Sequence, residues 1–440
     1  MNVHEVRQED LPEYLVEMAL ALAVGMHEVF SDEGLSSAES EERLGELLRE
    51  TGREALGRGL SEKYGRQRGP RRLCECGLMQ RFERYRSKMV MTTLGAVRYE
   101  RAYYRCGSCG RTHYEGDAQV GLIYGSFSLP AQEAVALVCS EVPFETGREM
   151  LGRLTAIEVS NSHAQEITSR HGQELERRAE VEREALFADE LSVLPAGRPK
   201  RLYVTLDGLK MPFTDDWHET KIGAVYDVKV GEDGIDEPRR VSYTSGAWEG
   251  PERFGRRLYQ EAVHRGIQSA QERVAIADGA EWIWNLVDEH FPGAVQILDF
   301  YHAAERLHEV GRAVYGEGTG KAREWAEANR ERLWEGRLTD VFRSLRNLKP
   351  TTEAGREAVR TAIGYYQENR ERMDYPTYRA RGYHVGSGVV EAACKTVAAA
   401  RCKRSGMRWS KDGAQSVLAL RSQRLNRRWD AYWQPLKAAC

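Results

Sequence analysis

Between residues 200 and 302, short apolar runs rich in β-branched residues alternate with segments whose apolar positions recur at helical spacing. The runs predict five strands and two helices in the order β-β-β-α-β-α-β. The seven segments are RLYVTLD, KIGAVYDVKV, RRVSYTSG, PERFGRRLYQEAVHRGIQSA, RVAIAD, EWIWNLVDEHF and AVQILD. Strands that follow one another directly pair as hairpins, whereas strands joined through a helix pair in parallel. The pattern therefore predicts an α/β region built on a mixed sheet.

Two aspartates close strands of this region. Asp207 ends the first predicted strand and Asp278 ends the fourth. The element order is that of an RNase H-like fold, in which the first and fourth strands are neighbours. We therefore expect the two carboxylates to lie side by side, although 71 residues separate them in sequence. Asp299 ends the fifth strand and is a rival to Asp278, but the adjacency of the first and fourth strands favours Asp278.

A third acid follows a long helical segment. Residues 303–382 are rich in Glu, Arg, Ala and Leu and predict an all-helical insertion. The sequence YHVGSGVVEAACK then predicts a glycine-broken loop and a helix that carries Glu391 and Lys395, one turn apart. An exposed ion pair between these two side chains is the alternative interpretation. Together with the two aspartates, Glu391 offers the carboxylate oxygens that a pair of Mg²⁺ or Mn²⁺ ions prefers.

Four cysteines flank a predicted β-hairpin. Cys74 and Cys76 precede the segment MVMTTLGAVRYERAYYRC, and Cys106 and Cys109 follow its second strand. Two thiolate pairs at the ends of a hairpin predict a structural, tetrahedral Zn²⁺ site of the zinc-ribbon type. The first pair is CxC where CxxC is usual, and four unrelated reduced cysteines are the alternative. Bound zinc would stabilise a small domain that has little core of its own.

The remaining segments are predicted to be helical. Residues 130–195 contain a short helix, a turn and a longer helix for which Ser160 is a suitable N-cap. This arrangement predicts a helix-turn-helix that binds DNA, with a plain helical linker as the alternative. The predicted segments are an N-terminal helical region (1–63), a zinc-ribbon domain (70–125), the helix-turn-helix region (130–195), the first part of the RNase H-like core (200–302), the helical insertion (303–382), and the second part of the core with basic helices (383–440).

The composition predicts the cellular compartment, and the charge is distributed unevenly along the chain. The chain is 41% hydrophobic and 30% charged with a net charge of −3, and its eight cysteines occur without a basic leader, so we expect a cytoplasmic protein. Its longest apolar run, Met18 to Met26, is too short to span a bilayer. Residues 1–60 carry a net charge of −9, whereas residues 392–440 carry +9.

The basic C-terminal region has a candidate role beside the acids. Cations near Glu391 would suit a phosphate backbone, with a solvated charged surface as the alternative. The candidate DNA-binding residues are Lys395, Arg401, Lys403, Arg404 and Arg408. Trp409 could stack on a base, but we expect it to pack against the protein.

Several long segments resemble a known family. RAYYRCGSCGR, YVTLDGLKMP, VAIADGAEWIWNLVDEHFPGAVQILDFYHAAERL, RERMDYPTYRARGYHVGSGVVEAACK and RCKRSGMRWSKDGAQSVLALR are similar to segments of ISKra-type bacterial insertion-sequence transposases. The likeness covers roughly residues 70–430. It implies a DDE transposase whose catalytic acids match Asp207, Asp278 and Glu391. Asp299 and His302 match the (C/D)xxH motif of related transposases, in which His302 would orient a metal ligand or serve only as a structural helix-start residue.

The resemblance also implies a reaction and its partners. Two Mg²⁺ or Mn²⁺ ions would support cleavage and strand transfer at the terminal inverted repeats and at target DNA. Joining two DNA ends in one event implies a homodimer or higher oligomer, associated with the bacterial nucleoid and with no membrane. The main alternative is a catalytically inactive or domesticated zinc-ribbon DNA-binding protein, although all the acids are present. A glycosidase also uses paired carboxylates, but it needs neither the cysteine hairpin nor the basic tail.

Overall fold

The computed structural model describes residues 11–122, 125–191 and 198–439. The chain divides into two compact units. The first contains Met1–Thr168 and Trp429–Cys440, and the second contains Ser169–Arg428. The sequence grouped residues 383–440 together, whereas the contacts divide them after Arg428.

The first unit combines helices with a four-stranded sheet. Its elements are α1 (Glu13–Ser31), α2 (Ser37–Leu60), a π-helical turn (Ser61–Gly65), β1 (Arg71–Leu73), β2 (Met79–Thr92), β3 (Gly95–Cys106), β4 (Thr112–Tyr114), α3 (Leu129–Glu141), α4 (Phe144–Leu154), the start of α5 (Asn161–Phe187) and α16 (Trp429–Ala438). The helices predicted before residue 63 are confirmed from Glu13 onward, and residues 1–10 lie outside the described residues.

The predicted hairpin is confirmed. Strands β2 and β3 pair antiparallel from Gln80–Cys106 to Thr92–Gly95, and β1 and β4 extend the sheet on either side in the order β1-β2-β3-β4. Gly95 has φ +104°, a conformation that favours glycine at the turn between the strands.

Three helices of this unit share a small apolar core. Val135 of α3, Leu151 of α4 and Ile167 of α5 are buried together. The Ser160 hydroxyl accepts a hydrogen bond from the His163 backbone N–H at 3.2 Å, so the predicted N-cap is confirmed. Its role in reading DNA stays a prediction.

Helix α1 is long and apolar enough to cross a membrane by length and composition, and most of it is not buried. The prediction that no segment is long enough to span a bilayer rested on the uninterrupted apolar run from Met18 to Met26, whereas the helix around it is 19 residues long. One such helix is weak evidence, because a core helix or an N-terminal signal sequence meets the same criteria.

The second unit is built on a five-stranded mixed sheet in the order β7-β6-β5-β8-β9. The strands are β5 (Arg201–Pro212), β6 (Trp217–Val230), β7 (Asp236–Ala247), β8 (Glu272–Ala277) and β9 (Val295–Leu298). The first three strands pair antiparallel. Strand β8 pairs in parallel with β5, and β9 pairs in parallel with β8. All five predicted strands are confirmed, as are the helices α6 (Pro251–His264) and α7 (Glu281–His290). The predicted adjacency of the first and fourth strands is also confirmed.

The rest of this unit, after β9, is helical. The predicted helical insertion is helical, and it contains α8 (Phe300–Tyr315), α9 (Gly320–Trp334), α10 (Leu338–Arg346), α11 (Glu353–Glu368) and α12 (Tyr375–Ala380). It shares one apolar core with the sheet, because side chains such as Leu307 and Tyr366 belong to the same buried cluster as Val204 and Ile276. The chain then returns through α13 (Gly388–Ala393), a π-helical turn (Cys394–Ala399), α14 (Ala400–Cys402) and α15 (Lys411–Leu425).

Candidate functional site

Three aspartates lie in one row across adjacent parallel strands. The last registered pair of β5 and β8 is Thr205 with Ile276, and two residues further along these strands come Asp207 and Asp278. Strands β8 and β9 end on the pair Ala277 and Leu298, so Asp299 follows beside Asp278. Neighbouring strands are about 4.8 Å apart, so Asp278 lies between Asp207 and Asp299, whose backbones are about 10 Å from each other. Asp207 does not end its strand as expected, since β5 continues to Pro212 paired with β6 alone.

Glu391 joins this cluster from the C-terminal part of the unit. It lies in the short helix α13, which packs against β5 and β6. Ligand atoms of Asp299, His302 and Glu391 all lie within 4.8 Å of one another, close enough to hold one metal ion. Among the described residues, the group close enough to share one ion therefore consists of Asp299, His302 and Glu391, whereas Asp207 and Asp278 lie on the neighbouring strands outside that group.

The loop before α13 is held by the start of α8. Ser387 N–H donates to Asp299 Oδ2, and Phe300 N–H donates to Val385 O at 3.0 Å. A Cβ on Gly386 would lie 2.8 Å from the Tyr301 ring, so the first glycine of the GSG sequence permits this close approach. These contacts fix the start of the helix that carries Glu391.

Asp299 is the most enclosed acid of the group. It is 0% exposed, and its Oδ1 accepts hydrogen bonds from the backbone N–H groups of Tyr301 at 2.5 Å and His302 at 3.0 Å. Burial opposes ionisation, but the hydrogen bonds from His302 and Ser387 outweigh it and lower the pKa of Asp299. Asp299 thus caps α8 and anchors the loop before Glu391. By contrast, the Asp278 side chain accepts from the nearby Ala280 N–H at 3.0 Å and is partly exposed.

Asp207 has a partner that the sequence did not indicate. The Cys394 thiol, at the start of the π-helical turn after α13, donates to Asp207 Oδ2 at 3.7 Å. Burial raises the pKa of Asp207, and the negative charge of Asp278 raises it further against the opposing effect of the Gly208 N–H. Burial also raises the pKa of Cys394, so this thiol stays protonated beside the carboxylate. A cysteine three residues after the candidate glutamate was the available sequence signal.

His302 is the cation of the cluster. Its Nδ1 lies 3.5 Å from Asp299 Oδ2, and this contact, with the charges of Asp278 and Glu391, raises the pKa of His302 to about 9 despite partial burial. His302 is therefore protonated at neutral pH and offsets part of the negative charge of the acids.

The predicted ion pair between Glu391 and Lys395 is not formed among the described residues, and both side chains are exposed. Lys395, Lys403, Arg404 and Arg408 are exposed. The prediction that Arg401 binds DNA is wrong, because Arg401 is only 1% exposed and its guanidinium lies over the Trp409 ring at 5.0 Å. Trp409 packs inside the protein as expected, and its Nε1–H donates to Cys402 O at 2.9 Å.

The four cysteines of the first unit converge on one point. Their Sγ atoms all lie within 4.8 Å of one another, with Cys74 to Cys109 at 3.6 Å and Cys76 to Cys106 at 3.7 Å. A Zn²⁺ ion with bonds of about 2.3 Å requires tetrahedral S–S edges of about 3.8 Å, so the arrangement suits that ion.

Each cysteine pair lies on a tight turn. Gly77 N–H donates to Cys74 O at 2.9 Å, and Gly110 N–H donates to Cys106 O at 3.0 Å. Both glycines have positive φ, and the turn of the CxC pair is closed over one residue fewer than the turn of the CxxC pair. Backbone N–H groups of Cys109 and Ser108 lower the pKa of Cys106 to about 6, whereas an opposing backbone hydrogen bond at Leu78 is outweighed by contacts with the other thiols, which raise the pKa of Cys76 to about 12.

The fold and the site define a mixed α/β protein with a carboxylate cluster at the ends of parallel strands. The chain belongs to the uncharacterised protein family UPF0236, whose model matches residues 30–430. None of the curated proteins matches the chain.

One solved structure that is similar is the Drosophila P element transposase strand transfer complex. It is 10% identical, and the match covers 73% of this chain and 83% of that chain with a TM-score of 0.24. A similarity this low establishes neither a common fold nor a common function.

Proposed function

We propose that the protein is a DDE transposase of the ISKra type, with an RNase H-like catalytic core, that cleaves insertion-sequence DNA ends and joins them to a target. The observation that carries the proposal is the row of Asp207, Asp278 and Asp299 across three adjacent parallel strands, with Glu391 within 4.8 Å of the ligand atoms of Asp299 and His302. Clustered carboxylates on a mixed sheet suit hard divalent cations, and such cations support phosphoryl transfer.

Asp207, Asp278 and Glu391 are the proposed ligands of two Mg²⁺ or Mn²⁺ ions. Such a pair of ions neutralises the charge of a phosphodiester and activates the attacking oxygen. Asp299 and His302 act on the ligands themselves. Asp299 holds the loop that presents Glu391, and protonated His302 limits the repulsion among the acids.

The remaining parts of the proposal concern DNA and zinc. Exposed Lys395, Lys403, Arg404 and Arg408 follow Glu391 in the chain and would contact DNA phosphates. The four thiolates of the first unit would hold a structural Zn²⁺, since four protein ligands leave no open coordination position for catalysis. We expect a cytoplasmic homodimer or higher oligomer acting on terminal repeats.

The test is metal-dependent nicking and strand transfer on duplexes made from the genomic DNA that flanks the coding sequence. Asp207→Asn and Glu391→Gln should lower the nicking rate by about 100- to 1000-fold or more, because each removes a carboxylate ligand of the proposed metal ions. Asp233→Asn is the matched control, since Asp233 lies in the exposed turn between β6 and β7.

Nicking that persists in both active-site variants would refute the proposal. Metal-independent binding of the same duplexes without any nicking by the wild type would favour the alternative, a catalytically inactive zinc-ribbon DNA-binding protein.

A further inference from the structure

A basic cavity of about 230 Å³ lies at the end of the sheet opposite the acids. It is formed by the start of β5, the bulged region of β6 and β7, and the residue that ends α6. The described residues that line it include the cations Arg198, Lys200, Arg201, Arg239, Arg240 and Arg265 and the single acid Asp227. Arg201 begins β5, six residues before Asp207, which is about 20 Å along an extended strand. The cavity is therefore distinct from the carboxylate cluster.

Three guanidinium groups share the single carboxylate of Asp227. Arg240 Nη2 lies 2.7 Å from Oδ2, Arg265 Nη2 lies 2.9 Å from Oδ1, and Arg239 Nε lies 3.6 Å from Oδ2. One negative charge cannot balance three positive charges. The carboxylate instead holds the guanidinium groups in place. Arg265 Nη2 also donates to Arg240 O, so the N–H groups that can reach a second anion are those of the exposed Arg239 and the Nη1 of Arg240.

A β-bulge creates this arrangement. Asp227 is registered with Arg240, whereas the next residue of β6, Val228, is registered with Pro238, so Arg239 is the extra residue in β7. Consecutive residues of a regular strand point to opposite faces, but the bulge lets Arg239 and Arg240 approach the same carboxylate. Bulges are frequent where a side chain is redirected to a functional site.

The rest of the cavity adds to the positive charge. Arg201 is balanced by Asp236 at 2.9 Å and by Glu272 at 2.5 Å. Arg198 and Lys200 are exposed, and neither forms an ion pair with a carboxylate in the described part of the chain. Counting all six cations against Asp227, Asp236 and Glu272 leaves an excess of three positive charges.

We propose that this cavity binds the phosphodiester backbone of duplex DNA outside the reacting phosphate. Guanidinium groups match phosphate oxygens in geometry and charge. Contacts of this kind to phosphate oxygens are the same for every base sequence, so we expect binding that does not depend on sequence. The choice of DNA as the polyanion rests on the proposed function, and the excess of charge does not depend on it.

The test is the salt dependence of binding to a 30-bp duplex of arbitrary sequence, measured in EDTA so that no cleavage occurs. The variant Lys200→Gln with Arg239→Gln removes two exposed cations and leaves Arg240 and Arg265 on Asp227. Loss of two phosphate contacts should make the negative slope of log K against log salt shallower by about 1.8. Binding should weaken by about 60-fold near 0.1 M salt.

Two controls accompany this variant. Arg356→Gln with Arg360→Gln removes the same charge from exposed residues of α11 and should leave the slope unchanged. Lys200→Arg with Arg239→Lys keeps the charge and should restore binding to within a few-fold. An equal melting temperature for all variants would show that folding is intact.

The outcomes separate this inference from the proposed function. An unchanged slope in the Lys200 and Arg239 variant would overturn the cavity assignment, even if the wild type nicks DNA. The expected loss of binding with no nicking by the wild type would overturn the transposase and keep the cavity as a DNA site. Tighter binding of RNA or of inorganic phosphate than of duplex DNA would also overturn the assignment to DNA.

Discussion

Replacement of Asp299 by alanine removes three backbone hydrogen bonds at once. The carboxylate accepts from Tyr301 N–H and His302 N–H in the first turn of α8, and from Ser387 N–H in the loop before α13. Water cannot replace the hydrogen bond between Asp299 and Ser387, since Asp299 is 0% and Ser387 is 2% exposed.

The cost follows from these contacts. Loss of the N-cap of α8 should destabilise the second unit by about 1 kcal/mol. A buried Ser387 N–H without a partner adds about 1–3 kcal/mol. The free energy of unfolding should therefore fall by roughly 2–4 kcal/mol, and each kcal/mol lowers the Tm of a unit of this size by about 2–4 °C.

Thermal unfolding of the metal-free protein at pH 7 tests this expectation, and Asp278→Ala is the matched control. The Asp278 side chain accepts from one nearby N–H and is partly exposed, so its loss should cost about 1 kcal/mol or less. In the nicking assay Asp278→Ala should remove activity completely, as expected of a metal ligand. A Tm for Asp299→Ala within a degree of the wild type would refute the anchoring role. Full nicking by Asp278→Ala, with none by a stably folded Asp299→Ala, would make Asp299 the second ligand.

Two further predictions concern pH and zinc. Hydrogen bonds from Arg201, Tyr383 and Arg381 outweigh the effect of burial and bring the pKa of Glu272 to about 2 from 4.5. This lowered pKa stabilises the fold above about pH 4.5 and the effect is lost as pH falls through 2, so Glu272→Gln should cost about 1–2 kcal/mol at pH 7 and nothing near pH 2 in denaturant titrations. Purified protein should contain one Zn²⁺ per chain by elemental analysis, and Cys106→Ser should lose it; wild type without zinc would contradict the site.

The sequence by itself determined the local elements. Short apolar runs rich in β-branched residues specified β5 to β9, and an excess of Val, Thr and Tyr specified the hairpin of β2 and β3, because each strand must bury one or both faces. The acids that follow apolar runs and the thiol pairs at turns were visible for the same reason, since these positions break the apolar pattern. Phosphoryl-transfer chemistry was inferred from the acids, the strand order and the family resemblance, and zinc from the cysteine spacing around the hairpin; both stay predictions.

Tertiary structure decided which of these residues meet and what each one does. Only the register of three strands showed that Asp207, Asp278 and Asp299 form one row, and only burial separated the enclosed Asp299 from the accessible Asp278. Arg401 is as basic in sequence as its neighbours, yet it lies inside the protein.

The thiol beside Asp207 and the bulge at Arg239 were likewise decided by tertiary structure. Cys394 reaches Asp207 from 187 residues away, and Arg239 reaches Asp227 because one residue is added to its strand. Patterns of hydrophobicity fix what each segment becomes, because burial is a local demand on the side chain. Contacts between distant segments depend on register and packing, which no local pattern encodes.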